Sequence, residues 1–291
     1  LMTRVWPRLS RVGRDFRLLA SHDVDLPSDY SRWKLKGAVS QAARTARTHG
    51  LIAGWNRGSG WLAHRCGYWR GDRYDIALDT LMDLSEKAGT KSAFYYIPEK
   101  TDKRDRGGAI TSPQVAAQWK RIAERGHEIG VHPGYQTFDR PERIDSAAAG
   151  TREQLDKLGI RQEALGGRQH FLRWETPVTA RAWDSAGMQY DSTLGFAEEA
   201  GFRCGICYEY PLYDVVERRQ LKLRERPLVA MECSIIDPRY MNLGDGEDAF
   251  AVFRDLKNEC RRFQGDFTLL WHNHRLEKDS ERNLYEAVLE A

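Results

Sequence analysis

Two aspartates that follow an apolar run are the side chains best suited to catalysis in this sequence. Residues 18–25 read Leu-Leu-Ala-Ser-His-Asp-Val-Asp and end in the carboxylates Asp23 and Asp25. An apolar run closed by polar residues is typical of a buried strand that opens into a loop. Residues two apart on a strand share a face, so both carboxylates would project together, where a bound cation relieves their repulsion. The alternative is that both aspartates cap a turn or the next helix.

Other predicted strands also end in polar residues that could act with these aspartates. Those residues are His132, Arg168, Asp191 and His272. The carboxyl ends of parallel strands meet at one edge of a sheet or barrel, where catalytic groups gather. We therefore expect the six side chains to form one site, although Asp191 could equally cap a turn.

The spacing of apolar residues predicts alternating strands and helices along the chain. Helices are predicted at about 38–48, 74–87, 113–126, 144–158, 177–186, 247–263 and from about 280. Strands are predicted at about 18–25, 92–98, 127–132, 168–173, 189–193 and 267–271, with irregular chain and further possible strands at 196–234. Such alternation predicts an α/β fold with a mainly parallel sheet covered by helices, and the length suits a (β/α) barrel. We expect one domain, residues 1–291, with an insertion at about 28–72.

Composition excludes several classes of protein. The 291 residues carry 45 Lys and Arg against 42 Asp and Glu, with no long basic block, so no nucleic-acid partner is expected. No apolar stretch approaches the roughly 20 residues of a membrane span. Five cysteines are too few and odd in number for a disulfide framework, and the N-terminal residues lack the apolar core of a signal peptide. These features together predict a cytoplasmic protein.

The polar strand ends lie in five short motifs that resemble those of the polysaccharide deacetylases, the NodB-homology carbohydrate esterases of the family 4 type. The resemblance covers about residues 16–274, with the motifs in the family's order. Ser21-His-Asp-Val-Asp25 is similar to the first motif, which implies that Asp23 is the general base. Val24 stands where the metal ligand is usual, and a related pattern places that ligand two residues after the base, at Asp25.

The second motif departs from the family pattern at one position. Residues 126–136, Gly-His-Glu-Ile-Gly-Val-His-Pro-Gly-Tyr-Gln, imply that His132 is a metal ligand, but Gln136 stands where the second histidine is usual. An amide oxygen is a poor zinc ligand compared with imidazole. Three possibilities follow: Gln136 binds the metal weakly, another histidine substitutes for it, or no catalytic metal is held. The histidines that could substitute are His22, His170 and His274.

The remaining motifs imply further catalytic and substrate-binding residues. Arg168-Gln-His-Phe171 resembles the third motif, whose arginine pairs with the base. Asp191 lies in the fourth motif, and Leu269-Leu-Trp-His272 resembles the fifth, whose histidine is the general acid. Substrate contacts are expected from residues beside these motifs, namely Tyr135, His170 and Trp271.

The resemblance implies a distorted (β/α) barrel of the NodB-homology type and a divalent metal, with zinc expected. The implied reaction is removal of an acetyl group from an amino sugar or glycan precursor, in the synthesis of a surface polysaccharide of the lipopolysaccharide or O-antigen type. One alternative is a catalytically degenerate member that binds glycan without hydrolysing it. Another is a hydrolase of a different C–N bond. A glycosidase is disfavoured, because Asp23 and Asp25 are too close in sequence to flank a bond from two sides.

Overall fold

A computed structural model gives the structure of residues 2–6, 8, 13–30, 33–68 and 71–291. Its strands, in chain order, are β1 (Arg17–Val24), β2 (Ala93–Tyr96), β3 (Glu128–Val131), β4 (Gly166–Gly167), β5 (Tyr190–Asp191), β6 (Tyr210–Asp214), β7 (Arg219–Glu225), β8 (Ala230–Met231) and β9 (Asp266–Leu270). Its α-helices are α1 (Met2–Val5), α2 (Leu35–His49), α3 (Leu51–Arg65), α4 (Arg73–Lys87), α5 (Pro113–Glu124), α6 (Pro141–Lys157), α7 (Val178–Ser185), α8 (Glu232–Ile236), α9 (Glu247–Arg262) and α10 (Asp279–Glu290). Short 3-10 helices lie at His170–Leu172 and Asn273–Arg275.

The strands form one sheet in the order β6-β7-β5-β4-β3-β2-β1-β9-β8. Neighbouring strands are parallel, apart from the antiparallel β6–β7 pair. Pairing among the described residues leaves β6 and β8 as the two edge strands. Because parallel strands end at the same edge of a sheet, the residues that follow β1, β3, β4 and β9 are brought together there.

The hydrophobic core lies between this sheet and the covering helices. Helix α5 shows how the sequence sets an element, since the Ser112 side chain accepts a hydrogen bond from the Val115 backbone N–H and Pro113 occupies the first turn. Its inner face buries Trp119 and Ile122 completely. Full burial of a large aromatic or branched side chain stabilises the fold by about 2–3 kcal/mol each.

Glycines in β3 and β4 let two tyrosines lie across the sheet. Tyr95 pairs in register with Gly130, and Tyr190 pairs with Gly166. A Cβ atom on Gly130 would be 2.4 Å from the Tyr95 ring, and one on Gly166 would be 2.0 Å from the Tyr190 ring. The two tyrosine hydroxyls lie 3.0 Å apart. Only glycine leaves room for these rings on the adjacent strands.

Most predicted elements are confirmed, but the strand predicted at 168–173 is wrong. Strand β4 contains only Gly166 and Gly167, and a 3-10 turn follows it. A Cβ on Gly167 would be 1.9 Å from the Val131 carbonyl oxygen, so this pairing requires glycine. The backbone then turns, with positive φ angles of 60° at Phe171 and 51° at Leu172.

The predicted insertion contains a helical hairpin formed by α2 and α3. The sequence predicted a helix at about 38–48, within α2, and missed α3. The helices are joined at Gly50, whose φ of 91° favours glycine. Within the part of the chain that the structure describes, no helix is both long and apolar enough to span a bilayer.

Candidate active site

The sheet edge brings together most of the side chains that the motifs predicted. Asp23 lies at the end of β1, and Asp25 follows that strand directly. His132 and Arg168 directly follow β3 and β4, and His272 lies two residues after the end of β9. These side chains lie close together because their strands are parallel and end at one edge.

One oxygen of Asp25 faces two histidines. Asp25 Oδ1 lies 3.5 Å from Nε2 of His132 and 3.5 Å from Nε2 of His170. The two imidazole rings are 4.9 Å apart between centroids, in an edge-to-face arrangement. Asp25 Oδ1 is buried and hydrogen-bonds no group among the described residues. Three potential ligand atoms thus converge on one point, an arrangement that could hold a divalent ion.

The other ring nitrogen of each histidine is fixed by a hydrogen bond. His132 Nδ1 donates to the Arg168 carbonyl oxygen at 2.6 Å, and His170 Nδ1 lies 2.7 Å from an oxygen of the Asp105 carboxylate. Metal-binding histidines usually carry such a partner, which sets the tautomer and aims the free nitrogen. The side chains present therefore fit a metal site, with Asp25, His132 and His170 as ligands.

Gln136 is turned away from this cluster. Its side-chain nitrogen donates to Asp102 Oδ2 at 3.0 Å, and its backbone N–H donates to Thr101 Oγ1 at 3.0 Å. Gln136 was predicted as a metal ligand, but in the structure its amide is held by Asp102, and the histidine whose Nε2 faces Asp25 beside His132 is His170.

The other histidines that could have substituted lie elsewhere. His22 Nδ1 lies 2.8 Å from the Trp271 carbonyl oxygen, and burial lowers the pKa of His22 to about 3. Burial also lowers the pKa of His274 to about 4, and its ring packs against Tyr74. Neither belongs to the Asp25 cluster.

The charges of the cluster support one another. Burial disfavours the charged form of Asp25, but the facing imidazoles of His132, His170 and His272 hold its pKa well below the usual value. Burial likewise disfavours a charged His132, yet the carboxylates of Asp23 and Asp25 raise the pKa of His132 above its usual value. The carboxylates and the imidazoles of this cluster therefore stabilise each other's charged forms.

Arg168 fixes Asp23. Its guanidinium donates to Asp23 Oδ1 at 2.8 Å, to the Ser21 hydroxyl at 2.9 Å and to the Ser192 hydroxyl at 3.0 Å. Both Arg168 and Asp23 are buried. The second oxygen, Asp23 Oδ2, lies 3.6 Å from His132 Nε2 and so faces the cluster. Asp23 is thus held with one oxygen occupied and the other directed toward the Asp25–His132 group.

His272 forms a pair with Glu232, which the sequence analysis missed. His272 Nδ1 lies 2.6 Å from Glu232 Oε1, and His272 Nε2 lies 3.9 Å from Asp25 Oδ2. Burial disfavours the imidazolium, but the Glu232 carboxylate raises the pKa of His272 well above its usual value. Burial opposes ionisation of Glu232, while His272 lowers the pKa of Glu232 to about 2. His272 can therefore carry a proton at neutral pH and donate it from Nε2.

Asp191 is buried beside Arg168 and has no contact with solvent. Its two oxygens accept hydrogen bonds from the Thr193 backbone N–H at 2.8 Å and the Thr193 hydroxyl at 2.6 Å. Burial raises the pKa of Asp191 to about 6. Burial and the Asp191 carboxylate raise the pKa of its neighbour Glu225 well above the usual value. The structure thus makes Asp191 part of a buried carboxyl pair.

The three residues predicted to contact substrate lie in three different environments. Trp271 is fully buried and packs against Phe253 and Tyr285, at ring distances of 5.8 and 5.0 Å, so the prediction that it contacts substrate is wrong. Trp271 and His272 follow β9 in succession, and their side chains lie on opposite sides, with Trp271 in the core and His272 at the site. Tyr135 is half-buried, with its ring 5.3 Å from that of Phe171. His170 joins the Asp25 cluster.

The sequence analysis missed Asp105 and Glu232, the two carboxylates that hold His170 and His272. Glu232 follows the apolar run Leu228-Val-Ala-Met231, which is the same signal that identified Asp23 and Asp25. Asp105 lies in the loop between β2 and α5, where no local pattern distinguishes it from a turn residue. Only the fold brings Asp105 against His170.

Several solved structures are similar to the structure of this chain. No protein-family model matches the chain, and no curated protein matches its sequence. A Mycobacterium smegmatis protein assigned as a polysaccharide deacetylase superposes with a TM-score of 0.57 at 14% identity, over 96% of this chain and 84% of that one. A Pseudomonas aeruginosa PAO1 protein with the same assignment gives 0.53 at 13%, over 95% and 84%. PuuE allantoinase gives 0.52 at 14%, also over 95% and 84%.

Similarity over nearly the whole chain at such low identity shows the fold. This chain has the NodB-type α/β fold. The fold class that the five motifs implied is therefore confirmed, with a central parallel sheet covered by helices and β6 and β8 unjoined at its edges.

Proposed function

We propose that this chain is a metal-dependent hydrolase that removes an acetyl group from an amino sugar or glycan precursor. The observation that carries the proposal is the convergence of Asp25, His132 and His170 between a fixed carboxylate, Asp23, and a charged imidazole, His272. The similar folds assigned as polysaccharide deacetylases support the same reaction class.

The proposed roles follow from the contacts of each side chain. Asp25, His132 and His170 would hold a divalent ion, expected to be zinc, which lowers the pKa of bound water from 15.7 to about 7 and polarises a carbonyl group. Asp23 is the general base, because Arg168 occupies one oxygen and leaves Oδ2 to accept a proton. Arg168 positions that base through its hydrogen bonds.

His272 is the proposed general acid. An amine leaves an acyl carbon readily only when it is protonated, so hydrolysis of an amide needs a proton donor on the leaving-group side. Glu232 keeps His272 protonated, and Nε2 of His272 faces the second oxygen of Asp25. The proposed base thus lies against His132 of the Asp25 cluster, and the proposed acid lies against the second oxygen of Asp25.

The proposal also covers the substrate and the cell compartment in which it is processed. We propose an acetylated sugar precursor of a surface polysaccharide of the lipopolysaccharide or O-antigen type, processed in the cytoplasm. The odd, small number of cysteines, all of them free in the structure, favours a reducing compartment. The exposed Phe171 beside Tyr135 offers a flat apolar face suited to a sugar ring.

A second candidate function is hydrolysis of another C–N bond, such as a small ring amide. The similarity to PuuE allantoinase favours it, since that protein has the same fold at nearly the same TM-score. The same base, acid and metal-binding side chains would serve either reaction, so the substrate decides between them. A chain that binds glycan without hydrolysing it is the remaining alternative.

Metal content and product release test these proposals together. Elemental analysis of protein purified without chelator should give about one zinc per chain, and Asp25→Ala should lose it. The loaded protein should then release acetate from N-acetylated oligosaccharides or nucleotide-linked N-acetyl sugars, and leave allantoin intact. Cleavage of allantoin alone would favour the second candidate. Absence of metal after addition of zinc, cobalt or nickel would contradict both hydrolases and leave the glycan-binding alternative.

A further inference from the structure

The α2–α3 hairpin has a charge composition unlike the rest of the chain. Residues 30–71 contain no Asp or Glu, although the chain has 42 acidic residues. The same segment contains eight Lys and Arg residues. The exposed basic residues among those that the structure describes are Lys34, Lys36, Arg44, Arg47 and Arg65. Because a protein surface normally mixes both signs of charge, they give this hairpin a locally cationic surface on a nearly neutral chain.

The tip of the hairpin is apolar and exposed. Leu51, Ile52 and Trp55 begin α3 and are 83%, 79% and 76% exposed, more than any other large hydrophobic side chain in the described part of the chain. They lie within one turn of the helix and so form one patch. Other exposed apolar side chains on the hairpin are Leu35, Val39 and Leu62. Single exposed apolar residues are ordinary, but a clustered set marks an interaction surface.

The base of the hairpin is firmly attached, so the exposed tip is a feature of a folded element. Tyr30 and Trp33 pack with Ala38 and Trp61 in a small separate core. The Trp61 indole donates to the Trp33 carbonyl oxygen at 3.1 Å. Arg57 forms an ion pair with the fully buried Asp29, with 2.5 Å between nitrogen and oxygen. These contacts fix the inner face and leave the outer face and tip without cover.

The basic residues beside the tip of the hairpin indicate what kind of surface the tip would bind. Arg44 and Arg47 are exposed in the last turns of α2, next to the turn at Gly50 that leads into Leu51. A basic amphipathic helix with Trp and Leu on its apolar side is typical of segments that lie in the headgroup region of anionic bilayers. Tryptophan favours that depth because its ring is apolar and its N–H can reach water.

We propose that the α2–α3 hairpin docks the protein on an anionic lipid bilayer, with Leu51, Ile52 and Trp55 inserted among the headgroups and the basic side chains against lipid phosphates. The hairpin is the next pair of helices after β1, and Asp23 and Asp25 lie at the carboxyl end of that strand. Docking through it would hold the catalytic edge of the sheet near the membrane surface. This attachment does not depend on the hydrolytic reaction.

Cosedimentation with lipid vesicles tests the proposal. The intact chain should sediment with vesicles of phosphatidylcholine and phosphatidylglycerol, much less with phosphatidylcholine alone, and less as salt is raised. The triple variant Leu51→Ser, Ile52→Ser, Trp55→Ser should bind at least about tenfold more weakly, because the inserted apolar area is lost. The double variant Arg44→Glu, Arg47→Glu should lose at least about tenfold through charge alone.

The matched control is Val215→Ser, Val216→Ser, which removes two exposed apolar side chains from the distant β6–β7 turn and should bind like the unchanged protein. Unchanged thermal unfolding of the hairpin variants would show that they remain folded. Asp23→Asn should also bind vesicles normally, which separates docking from catalysis. Equal binding by the triple variant, or no binding by the intact chain, would overturn the proposal. A dimer that the triple variant dissociates, without vesicle binding, would instead assign the patch to a second copy.

Discussion

Two carboxylate–imidazole pairs, Asp105–His170 and Glu232–His272, flank Asp25. They differ in the other hydrogen bonds that each carboxylate accepts. Asp105, which holds His170, also accepts hydrogen bonds from the backbone N–H groups of Thr101, Asp102 and Tyr135 and from the Thr101 hydroxyl. Glu232, which holds His272, leaves its second oxygen without a hydrogen-bond partner among the described residues. The negative charge of Asp105 is therefore spread over many donors, whereas that of Glu232 acts mainly on His272.

This difference assigns different chemistry to two similar pairs. Asp105, whose oxygens accept from these other donors as well, orients His170 so that its Nε2 faces Asp25 Oδ1. Burial disfavours the His272 imidazolium, but the Glu232 carboxylate, whose Oε1 also accepts from the Cys233 thiol, raises the pKa of His272 well above its usual value. In the proposed mechanism, the neighbours of each carboxylate therefore suit His170 to binding a metal and His272 to donating a proton.

The largest expected effect separates His170 from Gln136. His170→Ala should lower both zinc affinity and turnover by about 10³-fold or more, because a ligand from the Asp25 cluster is removed. Gln136→Ala is the matched control and should change zinc affinity only a few-fold, since its amide is bound to Asp102. Zinc titration against a competing chelator measures both. Equal losses in the two variants would contradict the placement of His170 as the second histidine ligand.

The next largest effect concerns the acid side of the comparison. His272→Ala should lower kcat by about 10²- to 10⁴-fold, the usual contribution of a general acid, while zinc stays bound. Glu232→Gln should retain more activity than His272→Ala. Its activity should, however, begin to fall at a lower pH on the alkaline limb of the pH profile than that of the unchanged protein. The sign follows because Glu232 raises the pKa of His272, so removing that charge lets the imidazole deprotonate earlier as pH rises. An unshifted alkaline limb of kcat/KM would argue against the pair.

A smaller effect, on zinc binding, is expected from the Asp105–His170 pair. Asp105→Asn should weaken zinc binding by about 10- to 100-fold, because His170 loses the partner that aims its Nε2. The alkaline limb should stay in place, since Asp105 does not contact His272. A shift of that limb in Asp105→Asn as large as in Glu232→Gln would remove the distinction between the two pairs.

The smallest effect lies in the buried pair of Asp191 and Glu225. The pKa of each is raised, so the folded chain holds protons that the unfolded chain releases, and the free energy of unfolding should fall as pH rises from about 4 through about 6. Glu225→Gln should reduce this fall by about 1 kcal/mol, because the like-charged neighbour is gone. Urea unfolding at about pH 5 and about pH 8 measures it. A fall of the same size in the variant would show that the pair does not titrate there.

The sequence predicted those parts of the site that depend on local pattern. Apolar runs that end in Asp25, His132 and His272 were recognised as strands, and parallel strands bring their ends together whatever the intervening chain contains. Arg168 was also placed correctly beside Asp23, although the strand assigned to it was wrong, because the motif identified the residue independently of its secondary structure.

The remainder of the site depends on contacts that no local pattern encodes. His170 reaches Asp25 because the chain turns after Gly167, with positive φ at Phe171 and Leu172, and these angles could not be expected of Phe or Leu. Asp105 is 65 residues from its partner His170 in the sequence. Glu232 had a recognisable apolar run before it, but that run lay in residues 196–234, which were predicted only as irregular chain with possible strands.

The glycine–tyrosine pairs of β2, β3, β4 and β5 constrain how this sequence can change over time. A side chain at Gly130 or Gly166 would collide with the ring of Tyr95 or Tyr190, so either glycine becomes replaceable only after its tyrosine has been exchanged for something smaller. Losing the tyrosine first leaves a void, and losing the glycine first creates a clash. Each route passes through a less stable intermediate, so each glycine should be conserved together with its tyrosine. Replacing both residues of a pair at once should destabilise the protein less than replacing either one alone.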